Sequence, residues 1–366
     1  MAVIIGVARE SAPGERRVAL TPETAKKLVA AGAVVHAQRG LGALARFPDQ
    51  AYADAGAELV DGDVLSGADV VLCVQSPPAA AIATMKQGAV LVGALHPQAD
   101  EARAAAIRER GVVAFPLERL PRTTRAQAMD ILSSQAGMAG YKAVLIAAQL
   151  APRFFPMLTT AAGTIRPSKV LVVGAGVAGL QAVATARRLG AQVECFDVRP
   201  ETREQIESLG GKFLDLGVSA AGEGGYARPL TDEERALQQQ RLAEHLKGID
   251  AIVSTAAVPG RPAPKIISAA MVDGMKPGSV IVDLAAETGG NCELTRRGET
   301  FETGNGVVVA GPVDLASMGA LHASEMFARN LYNFVSLLLR EDGLAFDWDD
   351  ELLAKTVWPE RAAAPA

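Results

Sequence analysis

The stretch VLVVGAGVAG, residues 170–179, constrains this chain more than any other. An apolar run ends at Gly174, and Gly176 and Gly179 complete a G-x-G-x-x-G spacing that opens the helical pattern LQAVATARRLG. The spacing alone is common; a strand before it and a helix after it make it a dinucleotide turn. Gly174 permits the tight turn, Gly176 lets the backbone approach a pyrophosphate, and Gly179 lets helix and strand pack closely. Val177 and Ala178 stand at the helix N-terminus, whose N–H groups and positive dipole end suit phosphate oxygens. Asp197 closes the next apolar run, 18 residues beyond Gly179, where a carboxylate accepts hydrogen bonds from adenosine ribose hydroxyls. A 2′-phosphate would meet a like charge there, so NAD(H) is expected rather than NADP(H). Val198 and Arg199 follow, with Arg199 expected to lie over the adenine or the diphosphate.

The turn sits in the second of two βα series. In the first, strands are expected at Val3–Ala8, Ala33–Gln38, Asp69–Gln75, Ala89–Leu95 and Gly111–Phe115, with helices over Pro22–Ala31, Asp49–Ala55 and Asp100–Arg110. In the second, strands are expected at Lys169–Val173, Gln192–Asp197, Lys212–Leu214, Ala251–Thr255, Ser279–Leu284 and Gly306–Ala310. Continuous apolar strands alternating with helices imply parallel sheets covered on both faces. A long helix from about Gln127 to Leu150 would bridge the two series. The expected fold is α/β, with two Rossmann-like domains joined by long bridging helices. Residues 1–139 would form the N-terminal domain and 140–319 the dinucleotide-binding domain, with 320–366 packing back on the first. With 366 residues, the chain is long enough for two cores.

Composition removes several function classes. Aromatics are 4% and the net charge is −5, so neither a base-stacking surface nor a basic footprint for nucleic acid is available. Cys73 and Cys195 lie in apolar runs and read as buried thiols, while Cys292 has a loop-like setting; none has metal-ligand spacing. No apolar stretch approaches the roughly 18–20 residues of a membrane span. No signal peptide is expected from MAVIIGVARE, which lacks a basic region and a cleavage site. A cytoplasmic protein is the expectation.

Longer stretches are similar to a known family. RTTRAQAMDILSSQAGMAGYKAV, KVLVVGAGVAGLQAVATARRLGAQVECFDVRPETREQIESLGGKF, GGYARPLTDEE and STAAVPGRPAPKIISAAMVDGMKPGSVIVDLAAETGGNCE closely resemble the soluble NAD(H)-binding component of proton-translocating nicotinamide nucleotide transhydrogenases. The resemblance runs from GVARES to about Trp348 and weakens over Ala310–Leu331. The chain is also similar to alanine dehydrogenases, which carry a lysine after one strand and a histidine after the next to handle a keto acid. Here the elements are CVQSPP and GALHP, so His96 is kept but Gln75 stands at the lysine position. A neutral amide neither pairs with a carboxylate nor relays a proton. Arg17 matches an arginine that binds the substrate carboxylate in those dehydrogenases, and a structural role for it is equally open. His96 without its partner is expected as a hydrogen-bonded core or rim histidine.

The resemblance implies direct hydride exchange between NAD(H) on this chain and NADP(H) on a partner, which requires no acid or base. It implies that Arg122 and Asp130 orient the ring amide and ribose, that Ser133 holds the carboxamide and that Gln127 bridges to NADP(H) on another subunit. Thr124 belongs to the same segment. Read without the resemblance, Gln127, Asp130 and Ser133 share one face and cap the bridging helix. The resemblance further implies a lid at Gly225 and Tyr226, with Gln238 in the helix after it, and a cleft edge at Ala257. It implies membrane-embedded and NADP(H)-binding partner subunits, a homodimer, and a peripheral position at the inner face of the cytoplasmic membrane. Two other readings stay open: an amino-acid dehydrogenase of the alanine dehydrogenase type, and a non-catalytic NAD(H)-sensing or assembly module.

Overall fold

Short apolar runs become strands because their β-branched residues fill two buried faces at once, and the helices between them cover those faces. The computed structural model describes residues 2–220, 228–257 and 261–360. The chain first alternates β1 (Ile4–Val7), α1 (Pro22–Ala30), β2 (Val34–Gln38), α2 (Asp49–Asp54), β3 (Glu58–Val60), β4 (Val70–Gln75), α3 (Ala79–Thr84), β5 (Val90–Ala94), α4 (Glu101–Arg110) and β6 (Val113–Pro116). The sheet runs β3-β2-β1-β4-β5-β6 and is parallel throughout. Local chemistry sets the helix ends. Thr21 caps α1 with Pro22 in its first turn, Asp100 accepts from Arg103 N at the start of α4, and Gly111 ends α4 at φ 69°. The edge strand β3 was not expected from sequence; three residues carry too little periodicity to be read.

The bridging helix begins later than its pattern suggests. Thr124–Met129 is a 3₁₀ turn, Asp130 is extended (φ −75°, ψ 94°), and α5 runs over Ile131–Leu150. Asp130 is the reason. Its carboxylate accepts from Ser133 N at 2.9 Å and Ser133 Oγ at 2.5 Å, and an N-cap residue holds an extended backbone while its side chain satisfies a donor of the first turn.

Next come the hairpin β7 (Leu158–Thr160) and β8 (Gly163–Ile165), also not expected, then β9 (Lys169–Val173), α6 (Val177–Arg188), β10 (Gln192–Phe196), α7 (Thr202–Ser208), β11 (Lys212–Phe213), α8 (Asp232–Leu246), β12 (Ala251–Ser254), α9 (Ala269–Asp273), β13 (Val280–Asp283), β14 (Thr300–Glu302) and β15 (Val308–Ala310). The second sheet runs β11-β10-β9-β12-β13-β15-β14, parallel except for the antiparallel edge strand β14. Strand order reverses between β9 and β12, and such a reversal opens a crevice at the carboxyl ends of the strands.

The chain then forms α10 (Ala320–Val335), β16 (Leu339–Arg340), β17 (Gly343–Leu344) and α11 (Glu351–Thr356). Two compact units result: Met1–Gln135 with Ser317–Ala366, and Ala136–Ala316. The division falls inside α5. In the first unit Phe327, Leu331 and Phe334 of α10 are buried in one core with Val70, Val90 and Phe115 of the sheet. The Phe115 and Phe334 rings lie 5.0 Å apart. Each unit is Rossmann-like, so the α/β class expected from the strand pattern is the fold observed. Among the described residues no helix is long and apolar enough to cross a membrane.

Candidate dinucleotide site

In the second unit the glycine turn joins β9 to α6, and each glycine meets a different steric demand. Gly174 has φ 95°, and a methyl group added to it would lie 2.8 Å from Thr255 Oγ1. A methyl on Gly179 would fall 1.8 Å from Gly174 O, so helix and strand meet backbone to backbone. Gly176 is the opposite case: it is exposed, has an ordinary φ of −78°, and a methyl there would meet nothing within 4 Å. The fold itself does not demand glycine at 176; room for something outside it does. No side chain caps the N-terminus of α6, so the first-turn N–H groups at Val177 and Ala178 have no side-chain acceptor at Gly176. The start of α6 is held close to α5 by small residues, since a methyl on Gly140 would lie 2.0 Å from Ala178 O.

Asp197 follows β10 and is buried. Its Oδ2 accepts from Ala175 N at 2.7 Å, which ties the carboxylate to the glycine turn. Arg199 lies against this carboxylate. Its Nε reaches Oδ1 at 2.9 Å and its Nη2 reaches Oδ2 at 2.8 Å. Burial acts to raise the Asp197 pKa, and Arg199 with the backbone donors outweighs it, so the group stays below the ordinary carboxylate range. Val198 accepts from Ala220 N at 2.7 Å through its carbonyl. Across the strand-order reversal, β12 leads into Thr255 and Ala256 beside Gly174, and Ala257 is exposed at that edge. Gln238 is buried on α8. Gly225 and Tyr226 lie outside the described residues.

A glycine turn with an unfilled approach, an uncapped helix start and a carboxylate fixed one strand away fit a dinucleotide. The turn has room for a pyrophosphate, the helix has donors for it, and the acid takes ribose hydroxyls where Arg199 gives up an acceptor site.

The other expected residues belong to the first unit. Arg122, Thr124 and Gln127 are exposed, with Thr124 and Gln127 on the 3₁₀ turn. Asp130 and Ser133 are partly buried and bonded to each other. Ser134, one residue on, bonds Asn330 of α10 at 2.7 Å.

Sequence reasoning overlooked Glu15, two residues before Arg17. Arg17 binds it through Nε at 2.8 Å and Nη2 at 2.6 Å, and the Gln75 amide donates to the same carboxylate at 2.9 Å. Burial raises the Glu15 pKa, but Arg17, Ser317 and Gln75 overcome it and hold the carboxyl at about 2. Arg17 therefore has an internal carboxylate partner. The E-x-R spacing was the available signal. His96 is exposed at φ 43°, not in the core, and its backbone N donates to Glu118 at 2.6 Å. Cys73, Cys195 and Cys292 are all buried, the last despite its loop setting, and burial pushes all three thiols up.

Fold and site together define a two-unit α/β protein with a dinucleotide turn in its second unit. Residues 143–362 match the alanine dehydrogenase/PNT C-terminal domain, and residues 6–139 match the alanine dehydrogenase/PNT N-terminal domain. The chain belongs to the alanine dehydrogenase/PNT family. It is 44% identical over 365 residues to the first portion of the NAD(P) transhydrogenase subunit alpha of Rhodospirillum rubrum, covering 96% of this chain and 95% of that one. Among solved structures it resembles the transhydrogenase from Sinorhizobium meliloti, with a TM-score of 0.89 and 43% identity over 98% of each chain. It also resembles an L-alanine dehydrogenase, with a TM-score of 0.80 and 26% identity over 97% of this chain and 94% of that one. The likeness to both branches matches the double resemblance read from the sequence, with alanine dehydrogenase the more distant.

Proposed function

We propose that this chain is the NAD(H)-binding component of a proton-translocating nicotinamide nucleotide transhydrogenase. The observation that carries the reading is the uncapped glycine turn at α6 with Asp197 tied to it through Ala175 N. Bound NAD(H) supplies the hydride donor or acceptor, and NADP(H) on a partner subunit supplies the other half. This chain's residues bind, orient and exclude water. The glycine turn and Val177–Ala178 hold the pyrophosphate; Asp197 and Val198 take the adenosine ribose once Arg199 swings off the carboxylate; Ala257 and Gln238 belong to the cleft wall; and Gly225 and Tyr226, the expected lid, lie outside the described residues. Arg122, Thr124, Asp130 and Ser133 serve the nicotinamide end, and exposed Gln127 reaches toward the NADP(H) subunit. We further assign a homodimer, membrane-embedded partner subunits that move the protons, and a peripheral place at the inner face of the cytoplasmic membrane. Residues 1–139 with 320–366, and 140–319, are assigned as the two domains.

An amino-acid dehydrogenase is the competing reading. Against it stands Gln75 at the lysine position, its amide bonded, with Arg17, to Glu15. The test uses the purified chain. NADH binding is followed by fluorescence against an NADPH control, and absorbance is then monitored with pyruvate and ammonium. Binding of NADH without oxidation, followed by transfer once an NADP(H)-binding subunit is added, is the expected result. Steady NADH oxidation by pyruvate and ammonium alone would make the chain an alanine dehydrogenase.

A further inference from the structure

The second wall of the dinucleotide crevice starts where β12 stops, and one side chain holds it. Thr255 still follows the sheet, with its N and Oγ1 both donating to Val173 O. Ala256 is the next residue, and both of its backbone groups are taken by Asn291. Asn291 Oδ1 accepts from Ala256 N at 3.0 Å, and Nδ2 donates to Ala256 O at 2.7 Å. The second Nδ2 hydrogen goes to Pro264 O at 2.9 Å, farther along the same loop. The carbonyl of Asn291 in turn accepts from Ile266 N and Ile267 N. Two carbonyls demand the NH₂ side of the amide and one N–H demands its oxygen, so only one orientation of this side chain satisfies the site.

Asn291 is fully buried, and so is Asp283 at the end of β13, which anchors the segment that carries it. Asp283 accepts from Ala285 N, Cys292 N and Thr295 Oγ1, at 3.0, 3.0 and 2.6 Å. The held residue is close to the turn: a methyl on Gly174 would sit 3.1 Å from Ala256 N. Asn291 thus fixes Ala256, which faces the glycine turn across the strand-order reversal, and Pro264 beyond it.

We infer that Asn291 is a positioning residue for dinucleotide binding, because it keeps the post-β12 wall preformed through both backbone groups of Ala256. The inference rests on the reading of the second unit as an NAD(H) site. A wall that is not held must be ordered at the moment of binding, and that ordering subtracts from affinity. Aspartate cannot replace asparagine here. It matches in size, yet as a carboxylate it has no hydrogen for Ala256 O or Pro264 O.

The experiment compares the full chain with Asn291→Ala and Asn291→Asp. NADH is titrated by fluorescence well below the melting temperature, and hydrogen exchange is followed over residues 255–257 and 261–266 without nucleotide. The NADH dissociation constant should rise about tenfold or more in both variants, the equivalent of one or two lost hydrogen bonds. Asn291→Asp should bind no better than Asn291→Ala, and exchange over 255–257 and 261–266 should quicken in both. A purely structural asparagine would lower the melting temperature and leave the affinity of the folded protein alone. Folded Asn291→Ala binding NADH within about twofold of wild type would therefore overturn the inference. So would an Ala256 amide that exchanges without protection in the nucleotide-free wild type, a measurement that requires no variant to fold. Failure of the wild type to bind NADH at all would instead overturn the NAD(H) reading beneath it.

Discussion

Arg199 fills the acceptor sites of Asp197 that a ribose would use. Asp197 Oδ1 accepts from Arg199 N and Nε, both at 2.9 Å, and Oδ2 accepts from Arg199 Nη2 at 2.8 Å and Ala175 N at 2.7 Å. A carboxylate offers about four lone-pair sites, and all four are in use. A ribose hydroxyl must displace one of these donors, and the guanidinium is the donor able to swing away. The same guanidinium offsets the charge that would repel a 2′-phosphate.

Arg199→Ala should therefore tighten NADH and weaken NADPH, widening the ratio of their dissociation constants by roughly tenfold, the equivalent of one charge-assisted hydrogen bond. Parallel titrations of both nucleotides measure it. An unchanged ratio would mean that Arg199 remains on Asp197 with nucleotide bound.

The glycines in and beside the turn should separate by role. Gly179→Ala and Gly140→Ala each drive a methyl into backbone, at 1.8 Å from Gly174 O and 2.0 Å from Ala178 O, and should cost about 2–4 kcal/mol of stability. Gly176→Ala meets open space and should change stability by less than about 0.5 kcal/mol while abolishing NADH binding. Thermal melts beside NADH titrations read both effects, and a stable Gly176→Ala that binds normally would refute the pyrophosphate assignment.

Glu10 gives the first unit a pH response near neutrality. It lines a cavity of about 240 Å³ with Cys73 and Gln75. Its carboxyl accepts from Val74 N at 2.6 Å and Gln75 N at 3.2 Å. Burial lifts it to about 7 against those amides, with Glu15 adding to the rise and Arg17 opposing it. A raised folded pKa means the group's contribution is complete below its unfolded value near 4.5 and is lost as pH rises through about 7. Between about pH 5 and 8 the wild type should lose roughly 2–4 kcal/mol that Glu10→Gln retains. Urea unfolding across that range would show the two curves diverging; parallel curves would contradict the assignment.

Gln127 and Asp130 should respond differently to truncation. Gln127 is exposed, so Gln127→Ala should leave NADH binding and melting temperature near wild type and cut transfer in the reconstituted complex by roughly a hundredfold. Asp130→Ala removes the cap on Ser133 N and should also cost about 1 kcal/mol of stability. Transfer at the wild-type rate in Gln127→Ala would reduce that residue to a solvated part of the 3₁₀ turn.

What was legible in the sequence is what neighbours along the chain decide. The run of β-branched residues before Gly174, the spacing of the three glycines and the acid 18 residues later each report a local requirement, so strand, turn, helix and ribose acid could be read in order. Parallel strands such as Val70–Gln75 were legible because burial on both faces leaves an uninterrupted apolar run. Edge strands were not: Glu58–Val60 and Thr300–Glu302 exist through pairing with β2 and β15, and their own residues carry no pattern. The start of α5 was misread because a short 3₁₀ turn and the first turn of a helix look alike over about three or four residues, and the Asp130 carboxylate on Ser133 separates them. Periodicity and backbone sterics alone dictate the two parallel α/β layers and the glycine turn. Folding alone brings donors onto Asp197, puts Gln75 and Arg17 on Glu15, and sets Asn291 against Ala256 from 35 residues away. Those contacts close over long separations or depend on side-chain direction, and chain spacing records neither.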